Sequence, residues 1–509
     1  MNLIASTSTF GFFTLISRIL GYVRDFLIAI FLGTTVFADA FFVAFRLPNT
    51  FRRLFAEGTF NAAFIPSYAG ALAKNKEEAN NFAKNIFNLL FIVLLSLVFL
   101  AEIFMPKLIF LIAPGFSNDP EKLKLAIDLS RITFPFLLFV CLASFFAAIL
   151  NSYNKFAAAA AAPIILNILL IGSLLISKWI NIQDYLLLSY AVSLAGFLQL
   201  LALLFFVRKY FTPILSLKIK IDIEVKKFFK KLLPSIFSSG VTQINILVGT
   251  IIASFQTGAV SYLYYADRVY QINLAVAGIA VGTVMLPELS KHIKKKNFKE
   301  IANLQNRSLE LSLFLSIPAA CALVIASEEI ITSLFGYGSF SNESVTNTAF
   351  ALTFFAFGVP AFSILKILSN FFFARNDTKT PFYVSVVSVL LNIFISILFF
   401  NKYGFIIIPI ATSIASWINV ILLSYFIKKR NFHTIDKVFI YKLPRMILST
   451  LVMLVILYLL LDFFTDKFNY NESWKIIYLF IIITISLLSY FFTSNFSGAF
   501  KFKDIKLKY

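Results

Sequence analysis

Acidic residues, cysteine and histidine are scarce in this chain of 509 residues. It has 25 Asp and Glu, two Cys and two His. Cys141 and Cys321 both fall in apolar stretches, so no disulfide framework is encoded. His292 and His433 lie in polar loops, and so few soft ligands exclude a zinc or haem site. Charged residues of either sign make up only 14% of the sequence. Walker A, Gly-x-Ser-x-Gly and His-Glu-x-x-His patterns are all missing, which leaves no enzyme signature. We therefore read the chain as not an enzyme and without a cofactor.

Apolar residues fill the space: 59% of the chain is hydrophobic, with 63 phenylalanines. Runs of about 20 apolar residues recur from end to end, each long enough to cross a bilayer as a helix. Fourteen such segments are expected, at 10–32, 36–66, 82–105, 125–150, 158–177, 185–207, 230–256, 258–290, 309–327, 345–373, 381–400, 405–427, 444–461 and 474–492. The fold class that follows is an all-α polytopic membrane protein. The N-terminus lacks a basic stretch ahead of its first apolar run, so it reads as a retained first helix rather than a signal peptide.

The net charge of +20 comes from 45 Lys and Arg. With the N-terminus taken as cytoplasmic, alternate loops and the C-terminal tail carry 30 of them, the opposite loops 7, and the segments 8. That asymmetry is the positive-inside pattern and predicts cytoplasmic termini. It accounts for the basic balance without nucleic acid. The densest clusters, 208–231 and 291–307, suit anionic membrane lipids.

The halves look duplicated. Ala38-Asp39 is echoed by Ala266-Asp267, Pro66 by Pro287, and Leu166-Asn167 by Leu391-Asn392, at offsets near 225 residues. We expect two six-helix lobes in parallel repeat, at 1–217 and 218–431, followed by two helices without counterpart at 432–509.

Charge inside the apolar segments carries the functional signal, because each such group costs several kcal/mol in lipid unless it is paired or faces a water-filled cavity. Arg18, Arg24 and Asp25 share the first segment, with Arg18 and Asp25 on nearly one helical face. Asp39, Arg46 and Arg53 form a stripe at steps of seven in the second, flanked by Arg52 and Glu57. Pro48 interrupts that segment's hydrogen-bond ladder and frees a carbonyl that a neighbour must satisfy. Asp267 and Arg268 lie deep in the eighth segment. For Arg24, snorkelling to the interface is the alternative. For Arg52 and Arg53 it is ordinary anchoring at the membrane surface, and for Asp267–Arg268 a structural ion pair. Arg131 and Lys366 read as snorkelling. Arginine outnumbers acid within the segments, which points to an anionic cargo. An acid-dominated pocket would suit a cation-coupled drug exporter, and a mere scaffold has no use for buried charge.

At these residues the chain resembles MurJ-type lipid II flippases of the MviN family, in the multidrug/oligosaccharidyl-lipid/polysaccharide exporter superfamily. The resemblance is carried by Ser17-Arg18, Leu20-Gly21, Arg24-Asp25, Ala38-Asp39-Ala40-Phe41-Phe42, Arg46-Leu47-Pro48-Asn49, Arg52-Arg53 and Phe55-Ala56-Glu57-Gly58, with Phe64 and Pro66. In the second half it rests on Tyr265-Ala266-Asp267-Arg268, Gly278, Gly282-Thr283, Pro287, Ala374-Arg375, Asp377 and Lys379-Thr380-Pro381. It covers nearly the whole chain. It implies lobes arranged as a V and a lipid-tail groove at the last two helices. The implied substrate is undecaprenyl-diphosphate bearing the peptidoglycan disaccharide-pentapeptide, moved from the cytoplasmic to the periplasmic leaflet of the bacterial inner membrane by alternating access. Another lipid-linked oligosaccharide is the alternative cargo. The family's substrate-binding arginines match Arg18, Arg24, Arg52 and Arg268, and its acids match Asp25, Asp39 and Asp267. Coupling to the membrane potential or a monovalent cation, and association with cell-wall synthesis proteins, are compatible with the resemblance. Gln271, where some relatives carry an acid, and the run 157–162, which lacks a proline common in relatives, depart from it.

Overall fold

The computed structural model describes residues 3–55, 59–180, 182–216 and 223–500, and these residues form helices without a strand. Among the described residues, nine runs are long and apolar enough to cross a membrane, or ten if the bent pair Asn342–Ala356 and Val359–Phe373 counts as one span. One of the nine, Lys379–Lys429, is 51 residues long. It consists of two helices, α16 (Lys379–Tyr403) and α17 (Ile407–Lys429). Ser388 bonds the Ala415 carbonyl and Asn392 faces Thr412, which is antiparallel pairing about the turn at Gly404. Exposed side chains along the helices are heavily apolar, among them Trp179, Phe205, Leu111 and Phe394. A surface of that kind matches hydrocarbon rather than water, and the chain is a multi-pass membrane protein.

The chain divides into two compact units, Met1–Ser261 and Tyr262–Tyr509. The first holds α1 (Leu3–Leu32), α2 (Val36–Phe55), α3 (Thr59–Lys74), α4 (Lys76–Ile112), α5 (Pro120–Thr133), α6 (Phe136–Ser152), α7 (Phe156–Ile180), α8 (Asp184–Val207), α9 (Ile223–Ala253) and the first residues of α10 (Ala259–Leu274). α7 packs on α1 and α8, α6 on α8, and α2 on α5, while α9 lies against α2, α3 and α4. Phenylalanine fills the α3–α4–α6–α9 junction. Phe64 stacks on Phe60 and Tyr68 and meets Phe145 and Phe228 edge-on, with ring centroids 5.2 to 6.3 Å apart. Such offset and edge contacts are the favoured aromatic geometries.

α2 runs through Pro48 unbroken and ends at Phe55. Proline cannot donate to the carbonyl four residues back. That carbonyl, Ala44 O, accepts instead from Thr133 Oγ1 of α5 at 3.0 Å, as the interrupted ladder requires.

The second unit continues from Tyr262 through α10, a π-helical stretch at Ala275–Ala280, α11 (Val281–Lys294), α12 (Phe298–Ile325), α13 (Ser327–Phe335), α14 (Asn342–Ala356), α15 (Val359–Phe373), α16, α17, α18 (Lys437–Phe463) and α19 (Lys475–Ser497). His292 sits in the last turn of α11 rather than in a loop. Met285, Leu289, Ile367, Phe371 and Leu423 anchor one core, and Phe314, Met446, Met453 and Tyr490 another between α12, α18 and α19. Pro318 orphans the Phe314 carbonyl in the same way, and Tyr490 Oη donates to it at 2.8 Å. At both of these prolines a hydroxyl on a neighbouring helix takes the orphaned carbonyl, because lipid offers no substitute partner.

The succession of elements repeats. Gly33 and Gly258, both at positive φ, precede α2 and α10. Asn154 and Asn376, also at positive φ, precede α7 and α16. The break between α5 and α6 leaves the Ile132 carbonyl to Ser193 of α8. The 41° bend between α14 and α15 leaves the Phe354 carbonyl to Ser413 of α17. The same serine-to-broken-helix bond occurs in each unit, about 220 residues apart.

Candidate functional site

Arg24 and Asp25 meet on α1. Arg24 donates from Nε and Nη2 to Asp25 Oδ1 at 3.0 and 2.7 Å, with side chains 11% and 5% exposed. Its Nη1 donates to Asn167 Oδ1 of α7 at 2.9 Å. Asn167 in turn donates to the Ser17 carbonyl at 2.8 Å. The asparagine thereby ties α7 to α1 and holds the guanidinium by a second edge. Snorkelling does not describe this side chain. The sequence marks Asn167 only as a repeat signature, and the fold makes it the residue that orients Arg24. Arg18, one face along, is exposed.

Asp39 lies away from that cluster. It is fully buried and accepts from Lys122 Nζ at 2.8 Å, Gly258 N at 2.8 Å, Ser261 N at 3.0 Å and Ser261 Oγ at 2.6 Å. Lys122 is itself 4% exposed and also lies over the Phe116 ring at 4.2 Å. A carboxylate with four donors, one of them a buried ammonium, is a fixed joint of α2, α5 and the turn that starts α10. The sequence places Lys122 in an ordinary loop, and nothing in its local pattern announces the pair. Farther along the stripe, Arg46 donates to Thr250 Oγ1 of α9 at 2.7 Å, so the stripe faces α9. Arg52 Nε donates to Asn49 Oδ1 at 2.9 Å, one turn back, and Arg53 is half-buried beside it. Glu57 lies outside the described residues.

In the second unit, Asp267 accepts from Gln271, one turn on. An acid at position 271 would repel Asp267, so the departure seen in the sequence gives this carboxylate an amide donor instead. Arg268 lies over the Tyr264 ring, 4.6 Å from its centroid, a cation–π arrangement that holds a guanidinium in apolar surroundings. Lys366 sits mid-way along α15, not near a helix end. Its stem packs where α15 crosses the π-helical stretch, 3.5 Å from a β-carbon built at Gly278. Arg131, by contrast, is exposed in the last turn of α5.

The Arg375–Pro381 motif is a staple rather than a binding element. Asp377 accepts from Lys379 N, Thr380 N, Thr380 Oγ1 and Arg430. Arg375 donates to the Phe371 and Phe432 carbonyls at 2.7 and 2.9 Å. Together they fasten the α15–α16 turn to the end of α17.

Arg24, Arg46, Arg52 and Arg268, each held by a short polar side chain or an aromatic ring, can present guanidinium to an anion. Comparison with known proteins agrees with that chemistry. The family model for the lipid II flippase MurJ matches residues 28–479. A probable lipid II flippase MurJ of Rhizobium meliloti (strain 1021) is 41% identical over 468 residues, covering 91% of this chain and 87% of the relative. A solved lipid II flippase MurJ in an inward closed conformation superposes with a TM-score of 0.82 at 31% identity, over 96% of this chain and 98% of that one. A multidrug transporter of the MATE family superposes with a TM-score of 0.70 at 15% identity, over 81% and 94%, a likeness of fold alone. On these grounds the chain belongs to the MurJ family of lipid II flippases.

Proposed function

We propose that this protein flips lipid II, the undecaprenyl-diphosphate-linked disaccharide-pentapeptide, from the cytoplasmic to the periplasmic leaflet of the bacterial inner membrane by alternating access. It is a transporter and not an enzyme. The observation that carries the reading is Arg24, largely buried within α1 and locked by Asp25 and Asn167. A diphosphate is a dense anion, and guanidinium offers it paired donors without risk of losing its proton. We assign the diphosphate to Arg18, Arg24, Arg52 and Arg268, supported by Asp25, Asp39, Arg53, Glu57 and Asp267. The lobes at 1–217 and 218–431, the tail groove at 432–509, fourteen spans and coupling to the membrane potential or a monovalent cation belong to the same proposal. So do association with cell-wall synthesis proteins and anionic lipids.

The test is complementation of a bacterium depleted of its own lipid II flippase. Growth restored by this chain, with lipid II reaching the outer leaflet, supports the reading. A chain that inserts and binds a cationic dye but not lipid II overturns it in favour of a drug exporter. Topology is checked separately. Reporter fusions after Lys231 and Lys296 should report the cytoplasm, and one within 328–343 the outside. Inversion at any site would sink the fourteen-span topology.

A further inference from the structure

Two glycines bring α15 close to the π-helical stretch and α11. A β-carbon at Gly278 would stand 3.1 Å from Ser363 Cα, and one at Gly282 would stand 3.0 Å from Asn370 Nδ2. Asn370 also donates to the Gly282 carbonyl at 2.7 Å. This contact fixes Lys366, whose Cγ lies 3.5 Å from the same built carbon at Gly278. Lys366 is seven residues, about 10 Å, from either end of α15 (Val359–Phe373). Its side chain keeps accessible surface although protein surrounds it on nearly every side, so it faces an internal opening rather than lipid. Among the described residues no carboxylate pairs with its ammonium and no carbonyl accepts from it. Ser363, one turn back, is fully buried, and its hydroxyl also lacks a partner among these residues. A cation within a span is costly without an anion, and an unmade hydrogen bond adds to that cost. Both costs fall when an anion enters.

The level of that anion is set by the helix. Arg268 precedes Gly278 by ten residues, about 15 Å along the axis. Its guanidinium leans farther away, over Tyr264. A diphosphate held at Arg268 is too short to meet Lys366 as well, so an anion at Lys366 is a second group of the cargo. We propose that Lys366 and Ser363 hold a peptide carboxylate of the cargo while its diphosphate rests at Arg268. The inference rests on the flippase reading above and adds a subsite to it. A pentapeptide ends in a carboxylate. An ammonium on a flexible stem suits such a mobile, single anion, where a rigid fork suits a diphosphate. The Ser363 hydroxyl supplies a further donor. The spacing of arginine and lysine then distinguishes the complete precursor from one without its peptide.

The test uses the full-length protein in nanodiscs and two cargoes, lipid II and lipid II with its peptide carboxylates amidated. The unaltered protein should bind lipid II about tenfold more tightly than the amidated form, the strength of one charge-assisted hydrogen bond. Lys366→Gln should erase that preference by weakening lipid II alone, and Lys366→Arg should restore most of it. An equal loss for both cargoes would place the ammonium on the diphosphate or in the fold, and overturns the subsite. A preference that survives Lys366→Gln overturns it too. Unaltered protein that binds and flips both cargoes alike removes the subsite and leaves the flippase reading standing. Failure to bind either cargo sinks both.

Discussion

Arg24→Ala and Arg268→Ala should each cut lipid II flipping about 100-fold while the protein remains in the membrane at normal abundance. Charge-assisted hydrogen bonds contribute about 1.5–3 kcal/mol each, and each 1.4 kcal/mol is about tenfold in affinity. Two such bonds lost to the diphosphate account for the expected fall. Arg→Lys at either position should recover only part of it, because an ammonium lacks the planar fork. The structure sharpens the design of this experiment. Arg24 gives two donors to Asp25, so Ala at 24 removes them from a buried carboxylate. The fair companion is Arg24→Ala with Asp25→Asn, which removes the charge pair together. If that double variant and Arg268→Ala both flip normally at normal abundance, these charges are structural and the anion site is elsewhere. Arg131→Ala, on an exposed helix end, should be nearly silent.

The largest loss of stability is expected at Asp39. Asp39→Ala leaves the Lys122 ammonium buried without its carboxylate and deprives Gly258 N and Ser261 of their acceptor. Breaking a buried pair from one side costs about 3–5 kcal/mol. Lys122→Met, made alone, should cost a similar amount by stranding Asp39. Asp39→Asn combined with Lys122→Met should recover most of the loss, since a neutral amide keeps an oxygen for Ser261 and the methionine fills the space over Phe116. The measurement is the unfolding midpoint of purified protein in detergent for the two single variants and the double. Simple additivity of the losses would show that the two groups do not act as a pair.

Much of this protein was legible without coordinates. Runs of apolar residues with a helical period can satisfy their backbone only within themselves when the solvent is lipid. Segment positions therefore follow from composition, and the described residues of the expected segments are largely helical, with breaks such as those at 134–135 and 357–358 that the apolar runs do not show. The sequence marks the repeat at Ala38-Asp39 and Ala266-Asp267, and the structure adds Gly33 and Gly258, both at positive φ, ahead of α2 and α10. The placement of Arg24 and Arg268 inside long helices was legible because both fall within apolar runs. The carbonyl orphaned by Pro48 was also foreseeable, since the ring removes a donor wherever it stands.

What each charge touches was decided by the tertiary structure alone. The partner of Asp39, Lys122, is 83 residues away, and its backbone donor Gly258 is 219 away. Asn167 is 143 residues from the arginine it orients. Helical periodicity relates residues within a few turns and is silent about which helices become neighbours. Lys122 and Asn167 therefore looked like a loop lysine and a repeat marker until packing brought them against buried charge. The segment that holds Lys366 is two helices bent by 41°, a break that its continuous apolar run does not announce. Sequence determined where charge falls along each helix. Packing determined what each buried charge touches, because a buried charge takes its role from the donors and acceptors that surround it.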